Sequence, residues 1–191
     1  MANLAVFASG NGANFQAIVE TVRRTSHSVR CLVCDRAGAF VLERAKALAI
    51  PAHVVSYSGR LREESETEIL RLIEPYAIDL IALAGFMRLL TPRFVDRYRE
   101  GIINIHPALL PKYPGTHAIA ESYESRDTEL GITIHRVDYG MDTGPIIVQE
   151  SFRRVGSETM EEIELRIHNL EHATYPRIVT ELLDSIDHRS R

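Results

Sequence analysis

Short apolar runs alternate with helix-patterned segments through the first hundred residues of this chain, and that alternation restricts the folds open to it. Residues 4–8, 29–34, 52–55, 79–84 and 102–105 read as five strands. Between them, residues 15–22, 39–49, 62–76 and 92–98 carry helical spacing or helix-forming composition. In the third of these, Ile69, Leu70 and Ile73 share one face opposite a charged one. The 79–84 segment lacks polar alternation, as a strand covered on both faces does. Thr91-Pro92 pairs a capping hydroxyl with proline at the first helical position, so a short helix is expected there. Strands and helices in strict alternation predict a parallel, doubly wound sheet.

The rest of the chain departs from that rhythm. Residues 131–137 and 145–152 form two strand patterns without a helix between them, which predicts an antiparallel pair. From Ser157 to about Ile186 the pattern is mostly helical, with Ser157 as the expected cap and Glu158 and Glu161 in the first turn. Proline costs a helix hydrogen bond, so a break is expected near Tyr175-Pro176. The expected fold class is α/β: a doubly wound, mostly parallel sheet, Rossmann-like in its N-terminal half, with an antiparallel C-terminal strand pair and a long C-terminal helix. With 191 residues and neither repeat nor linker, residues 1–191 are expected to form one domain.

Charge and composition narrow the function. The formal net charge is −4, which gives no general attraction to nucleic acid or acidic membranes. No apolar run approaches the ~18 residues of a membrane-spanning helix. Met1-Ala2-Asn3-Leu4 leads directly into a strand pattern with no charged leader, so a cytoplasmic protein is expected. Cys31 and Cys34 have C-x-x-C spacing, which suits a redox motif or half of a zinc site. In a strand, however, positions i and i+3 face opposite sides, and no second pair exists, so buried core thiols are the better reading.

Asn104-Ile105-His106-Pro107 is the most chemically informative stretch. Positions i and i+2 of a strand share a face, so an amide and an imidazole are expected to leave one strand side by side. Pro107 ends the ladder because it has no N–H. The amide can donate to a developing oxyanion, and the imidazole can move a proton near neutral pH. Asp142 lies in the turn-forming stretch Tyr139-Gly140-Met141-Asp142-Thr143-Gly144-Pro145, from which it could reach back and orient His106. The set suits acyl or formyl transfer.

Ser9-Gly10-Asn11-Gly12-Ala13-Asn14 joins a strand to a helix. Exposed N–H groups at a helix start make an anion site. Phe15 stands where a dinucleotide fingerprint needs a third glycine, so phosphate binding without a dinucleotide fits better. A tight turn favours glycine for steric reasons too, and both readings stay open here. Asp35 fits a ribose contact or a turn residue equally. His168-Asn169-Leu170-Glu171-His172 matches a five-residue zinc-peptidase pattern. No third ligand stands out, and Glu171 as a substrate contact is the better reading. His27, His53 and His188 read as surface or edge positions. His135 shares a strand face with Thr133, and a core or supporting hydrogen bond suits it at least as well as catalysis.

Six stretches in order resemble the phosphoribosylglycinamide formyltransferase family of folate-dependent enzymes. They are Phe7-Ala8-Ser9-Gly10-Asn11-Gly12, Leu83-Ala84-Gly85-Phe86-Met87-Arg88, Asn104-Ile105-His106-Pro107, Leu109-Leu110-Pro111-Lys112-Tyr113-Pro114-Gly115, Met141-Asp142-Thr143-Gly144-Pro145 and Glu171-His172-Ala173-Thr174-Tyr175-Pro176. Ala13 departs from the family, where many relatives carry a hydroxyl residue. The resemblance implies a folate-dependent formyltransferase that moves the formyl group of 10-formyltetrahydrofolate, its co-substrate, to the amine of glycinamide ribonucleotide in purine synthesis. No metal is expected. It implies a phosphate-binding half, 1–100, and a catalytic and folate-binding half, 101–191. It implies Asn104, His106 and Asp142 as catalytic, and Gly12, Ala13, Asn14 and Glu171 as binding the ribonucleotide. The pterin is expected against Leu83, Leu89, Leu90, Phe94 and Val137, with backbone contacts from Met87, Arg88, Leu89 and Leu90 and from Asp138, Tyr139, Gly140, Met141 and Asp142. Arg62 and Arg88 are expected to face the acidic tail. The partners implied are small molecules, with the chain a monomer or weak homodimer. A methionyl-tRNA formyltransferase, a formyltetrahydrofolate hydrolase and a non-catalytic nucleotide-binding module are the alternatives. The first two would be expected to carry an added domain, and the third leaves Asn104, His106 and Asp142 without a joint role.

Overall fold

The computed structural model describes residues 1–189. Its elements run β1 Asn3–Ala8, α1 Ala13–Val22, β2 Ser28–Cys34, α2 Val41–Ala47, β3 Ala52–Val54, α3 Arg62–Ile73, a 3₁₀ turn Glu74–Tyr76, β4 Leu80–Leu83, α4 Pro92–Tyr98, β5 Ile102–His106, α5 Ala118–Glu124, β6 Glu129–Arg136, β7 Ile146–Arg153 and α6 Met160–Arg189. The strands form one sheet in the order β3-β2-β1-β4-β5-β6-β7. Neighbours from β3 through β5 are parallel. β6 runs antiparallel to both β5 and β7. The expected α/β architecture is therefore present, and the antiparallel portion begins one pairing earlier than the expected hairpin.

Each face of the sheet has its own apolar layer. One packs β1, β2, β4, β5 and β6 residues against Phe15, Ile18 and Val19 of α1 and Ile163, Ile167 and Tyr175 of α6. The other packs Phe7, Val33 and Ile81 against Ile69 and Ile73 of α3 and Phe94 of α4. Cys34 belongs to the first layer and Cys31 to the second, so the strand period separates the two sulfurs as expected. Both thiols are free and buried, and burial pushes the Cys31 thiol up to about 12. The order of strands reverses at β1, which has β2 on one side and β4 on the other. In a doubly wound sheet the crevice at the carboxyl ends of such strands is where ligands bind.

Four local expectations are corrected. α5 was not foreseen; its seven residues make two turns, and His117 before it offers no side-chain cap. α6 starts at Met160, not at Ser157. Thr159 is its cap, in a reciprocal box: Glu162 N–H donates to Thr159 Oγ1 at 3.3 Å and Thr159 N–H to Glu162 Oε2 at 2.8 Å. Pro176 causes no break and lies buried inside the continuous helix. There the apolar contacts of Ile163, Ile167, Tyr175, Ile178, Val179 and Leu183 outweigh one lost backbone hydrogen bond. His27 is buried rather than at the surface. Its Nδ1 accepts from Ala2 N–H at 3.1 Å, so Nε2 carries the proton it offers to Asp184 at 2.9 Å. Among the described residues no helix is long and apolar enough to cross a membrane.

Candidate active site

β5 brings Asn104 and His106 to the crevice from one strand face, and the loop between β6 and β7 returns Asp142 to them. Asp142 sits in the left-handed region at φ 56°, a conformation Asp tolerates better than most residues. Gly115 N–H donates to its Oδ2 at 2.9 Å. His106 Nδ1 lies 3.4 Å from the same oxygen. Asn104 Nδ2 donates to Asp142 Oδ1 at 3.4 Å. The three residues expected to act together are thus neighbours, although Asp142 is remote in sequence.

Backbone carbonyls fix the rings. His106 Nε2 is 2.7 Å from Tyr113 O, and a carbonyl only accepts, so Nε2 carries a proton. In the neutral ring Nδ1 then holds the lone pair and faces the Asp142 carboxylate. His135 is oriented the opposite way: Nδ1–H donates to Arg136 O at 2.8 Å. Its Nε2 accepts from Asn104 Nδ2 at 3.2 Å and lies 3.5 Å from Asp142 Oδ1. His135 and Asn104 are cross-strand partners in the β5–β6 register, which is why they meet. His135 is therefore a supporting hydrogen-bond partner. Both Asn104 N–H bonds are engaged, at the long distances of 3.2 and 3.4 Å.

Burial pushes His106 below the ordinary imidazole value, against the Asp142 charge and the Tyr113 carbonyl, which both act to raise it. Asp142 therefore favours the imidazolium, as expected, but burial outweighs it. For Asp142, burial acts upward and is overcome by hydrogen bonding from the His135 side and from Gly115 N–H together with the nearby rings, so its carboxyl lies below its ordinary value.

An apolar cavity of about 210 Å³ opens beside these groups, lined by Leu83, Met87, Leu89, Leu90, Val137 and Met141 among others. Arg88 and Gly140 also line it. Phe94 does not: it is fully buried, edge-on to Phe7 at 6.0 Å and against Tyr98 at 5.8 Å. Its helical position turns it into the core under the cavity floor. Three further residues of the expected folate site have their side chains engaged by the protein itself. Arg62 donates to Leu89 O at 3.4 Å without lining the cavity. Asp138 braces its own turn, accepting from Gly140 N–H at 3.0 Å and Thr143 Oγ1 at 2.7 Å. Tyr139 donates to Asp96 at 2.5 Å beside a separate groove. Asp35 is neither exposed nor a simple turn residue: its Oδ2 accepts from Arg88 Nε at 2.6 Å.

The turn after β1 ends in Gly12, at φ 79°, which serves as the N-cap of α1. A Cβ there would overlap Val41 Cγ2, so glycine is required by conformation and by space. The first-turn N–H groups of Ala13, Asn14 and Phe15 have no intrahelical acceptor. Ser9 Oγ accepts from Met87 N–H at 2.9 Å, tying this turn to the loop after β4. Asn14 Nδ2 donates to Glu171 Oε2 at 3.1 Å, and the same oxygen is 3.0 Å from His168 Nδ1. Glu171 thus bridges α6 to the turn. The His168 and His172 rings stack at 6.5 Å, and among the described residues no group of three His, Cys, Asp or Glu side chains is placed to hold a metal ion.

Sequence reasoning missed two supports. Tyr113 acts through its carbonyl, for which no sequence signal exists. Tyr175 is fully buried, and its single O–H is shared between Leu83 O at 2.9 Å and Ile103 O at 3.3 Å, joining β4 and β5 to α6. The available signal is a tyrosine on the largely apolar stripe of α6, four residues after Glu171.

Comparison with known proteins follows the same lines. Residues 2–179 match the family described as Formyl transferase. A curated Bacillus subtilis (strain 168) protein named phosphoribosylglycinamide formyltransferase is 46% identical over 189 residues, covering 96% of this chain and 95% of its own. A Drosophila pseudoobscura pseudoobscura protein named trifunctional purine biosynthetic protein adenosine-3 is 40% identical over 179 residues, which cover 91% of this chain and 13% of that longer protein. The crystal structure of glycinamide ribonucleotide transformylase 1 from Geobacillus kaustophilus superposes with a TM-score of 0.91 at 48% identity, covering 96% of this chain and 99% of that one. The chain belongs to the formyl transferase family, within its group of phosphoribosylglycinamide formyltransferases.

Proposed function

We propose that this chain transfers the formyl group of 10-formyltetrahydrofolate to the amine of glycinamide ribonucleotide, in the cytoplasm, as a step of de novo purine synthesis. The observation that carries the reading is the meeting of Asn104, His106 and Asp142 at the mouth of an apolar cavity. The pterin would occupy that cavity. The ribonucleotide phosphate would lie on the N–H groups of Gly12, Ala13 and Asn14, where a helix start favours an anion. Glu171 would hold the sugar and glycinamide portion.

The amine attacks the formyl carbon and an oxyanion forms. One N–H of Asn104 turns to that oxygen; its two present bonds are long and cost little to redirect. A donor already aimed at an oxyanion is worth about 3–4 kcal/mol, an upper bound for an amide that must first turn. Neutral His106 takes the amine proton at Nδ1, the one free lone pair on its ring, as the attack places positive charge on the nucleophile. The imidazolium so formed is stabilised by Asp142 at 3.4 Å and donates Nδ1–H to the oxyanion. As the tetrahedral intermediate collapses, the C–N bond to the folate breaks, and that proton passes to the departing nitrogen directly or through a water held by Asp142. Burial keeps the resting ring neutral and ready to accept.

The test is an assay of the purified chain with both substrates, following tetrahydrofolate release and the formylated ribonucleotide. Formation of both in equal amounts is expected. Release of formate without formylated ribonucleotide, or transfer only to methionyl-tRNA, would overturn the proposal.

A further inference from the structure

Arg88 is the only lysine or arginine among the residues lining the cavity, and it does not stand there as a free charge. Its Nε donates to Asp35 Oδ2 at 2.6 Å. Its guanidinium lies over the Tyr57 ring, 5.1 Å from the centroid. The Asp35 side chain is wholly buried, while that of Arg88 remains 37% exposed. Among the described residues Asp35 Oδ1 has no hydrogen-bond partner, so Arg88 is the group that answers this carboxylate. A desolvated carboxylate holds its one cation tightly, because removing the partner would strand a buried charge. Nε is consumed, and the two terminal amino groups are left for another acceptor.

On the folate reading above, we propose that Asp35 is the positioning residue that sets how the enzyme reads the acidic tail of its donor. It fixes the Arg88 guanidinium in one plane against Tyr57 and cancels most of its charge at a distance. Arg88 therefore recognises one tail carboxylate by short-range geometry. Further carboxylates along a longer tail feel a neutral pair, and the donor's affinity rises only weakly with their number. Arg62 donates to the Leu89 carbonyl and does not line the cavity.

Asp35→Asn removes the cancelling charge and keeps the side-chain shape. An unscreened cation several ångströms from each added carboxylate should lower KM for a donor bearing several glutamates on the order of three- to tenfold. The effect should be absent from a donor lacking the glutamate tail, should lie in KM rather than kcat, and should fade with added salt. Asp35→Glu restores the charge and should restore the wild-type dependence on tail length. Thermal unfolding of both variants monitors the fold. A KM change equal for tailed and tail-less donors, or no change in tail dependence, would overturn the inference while leaving the formyltransferase reading intact. Should the wild-type chain transfer no formyl group, that reading falls by itself, and calorimetric titration with the tailed and tail-less folates decides the role of Asp35: affinity for the two that responds equally to Asp35→Asn, or no binding of either, overturns it.

Discussion

Asp142→Asn is the sharpest perturbation of the proposed chemistry, because asparagine keeps the backbone and removes only the charge. It is among the residues that tolerate the left-handed conformation at φ 56°, and its amide oxygen can still accept from Gly115 N–H. What disappears is a carboxylate 3.4 Å from His106 Nδ1, where the two side chains are only 12% and 4% exposed. Two unit charges about 4 Å apart interact by about 1 kcal/mol in water and about 4 kcal/mol at an effective dielectric constant of 20. The imidazolium formed during attack loses that support, so kcat should fall by roughly 10- to 10³-fold at the plateau, a range that overlaps the ~10²–10⁴-fold typical of general acid–base assistance. The pH profile carries a second signature. In the proposed mechanism neutral His106 is the active form, so kcat/KM should rise with pH through a free-enzyme value that burial holds below the ordinary 6.5. Asp142 acts to raise that value, so its loss moves the acid limb to lower pH while the plateau drops. The assay is initial-rate kinetics for both substrates across pH, with thermal unfolding to monitor the fold. An unshifted acid limb with a plateau within about threefold of wild type would refute the proton-transfer role.

Gly12→Ala should raise KM for glycinamide ribonucleotide far more than for the folate and should lower stability by about 1–3 kcal/mol, since it strains φ 79° and overlaps Val41; denaturant melts should show part of the loss recovered in the double variant with Val41→Ala. Tyr175→Phe removes the donor to Leu83 O and Ile103 O and should cost about 1–3 kcal/mol in equilibrium unfolding, with a smaller loss of kcat than Asp142→Asn. Glu158 is held at about 2, first by Val155 N–H and then by Gly156 N–H and Arg166, so its contribution is complete above about 4.5 and is lost as the pH falls toward 2. Glu158→Gln should therefore flatten the acid side of the unfolding-midpoint profile in that window and leave the slope at neutral pH alone.

Much of this architecture was legible because it rests on local periodicity. The five parallel strands and α1, α3 and α4 follow from apolar runs, glycine turns and the Thr91-Pro92 start. What the pattern missed depends on tertiary support. Pro176 reads as a break in isolation but is carried through by the buried face of α6. His27 is polar and follows a turn, yet the amino-terminal strand and α6 close over it. Phe94 and Val137 look alike as apolar cavity residues; only the fold separates the one that lines the cavity from the one beneath it.

The assignment of the proton carrier shows the same division. Sequence spacing brings His106 into the site, and register brings His135 beside it, so two imidazoles lie within 3.5 Å of one carboxylate. Residue identity does not choose between them; the carbonyls do. Arg136 O holds the His135 proton on Nδ1, and the remaining nitrogen is satisfied by the Asn104 amide. Tyr113 O holds the His106 proton on Nε2, and the remaining nitrogen faces a carboxylate with no proton between them. Protonating His106 replaces a lone-pair repulsion with a charge-assisted contact. The proposed mechanism therefore takes His106 as the proton carrier, with Tyr113 O, supplied by a backbone with no side-chain signature, setting its tautomer. Tyr113 is in turn anchored by its hydroxyl to Asp127 at 2.7 Å, which places the tautomer of the central base under the control of a contact outside the cavity.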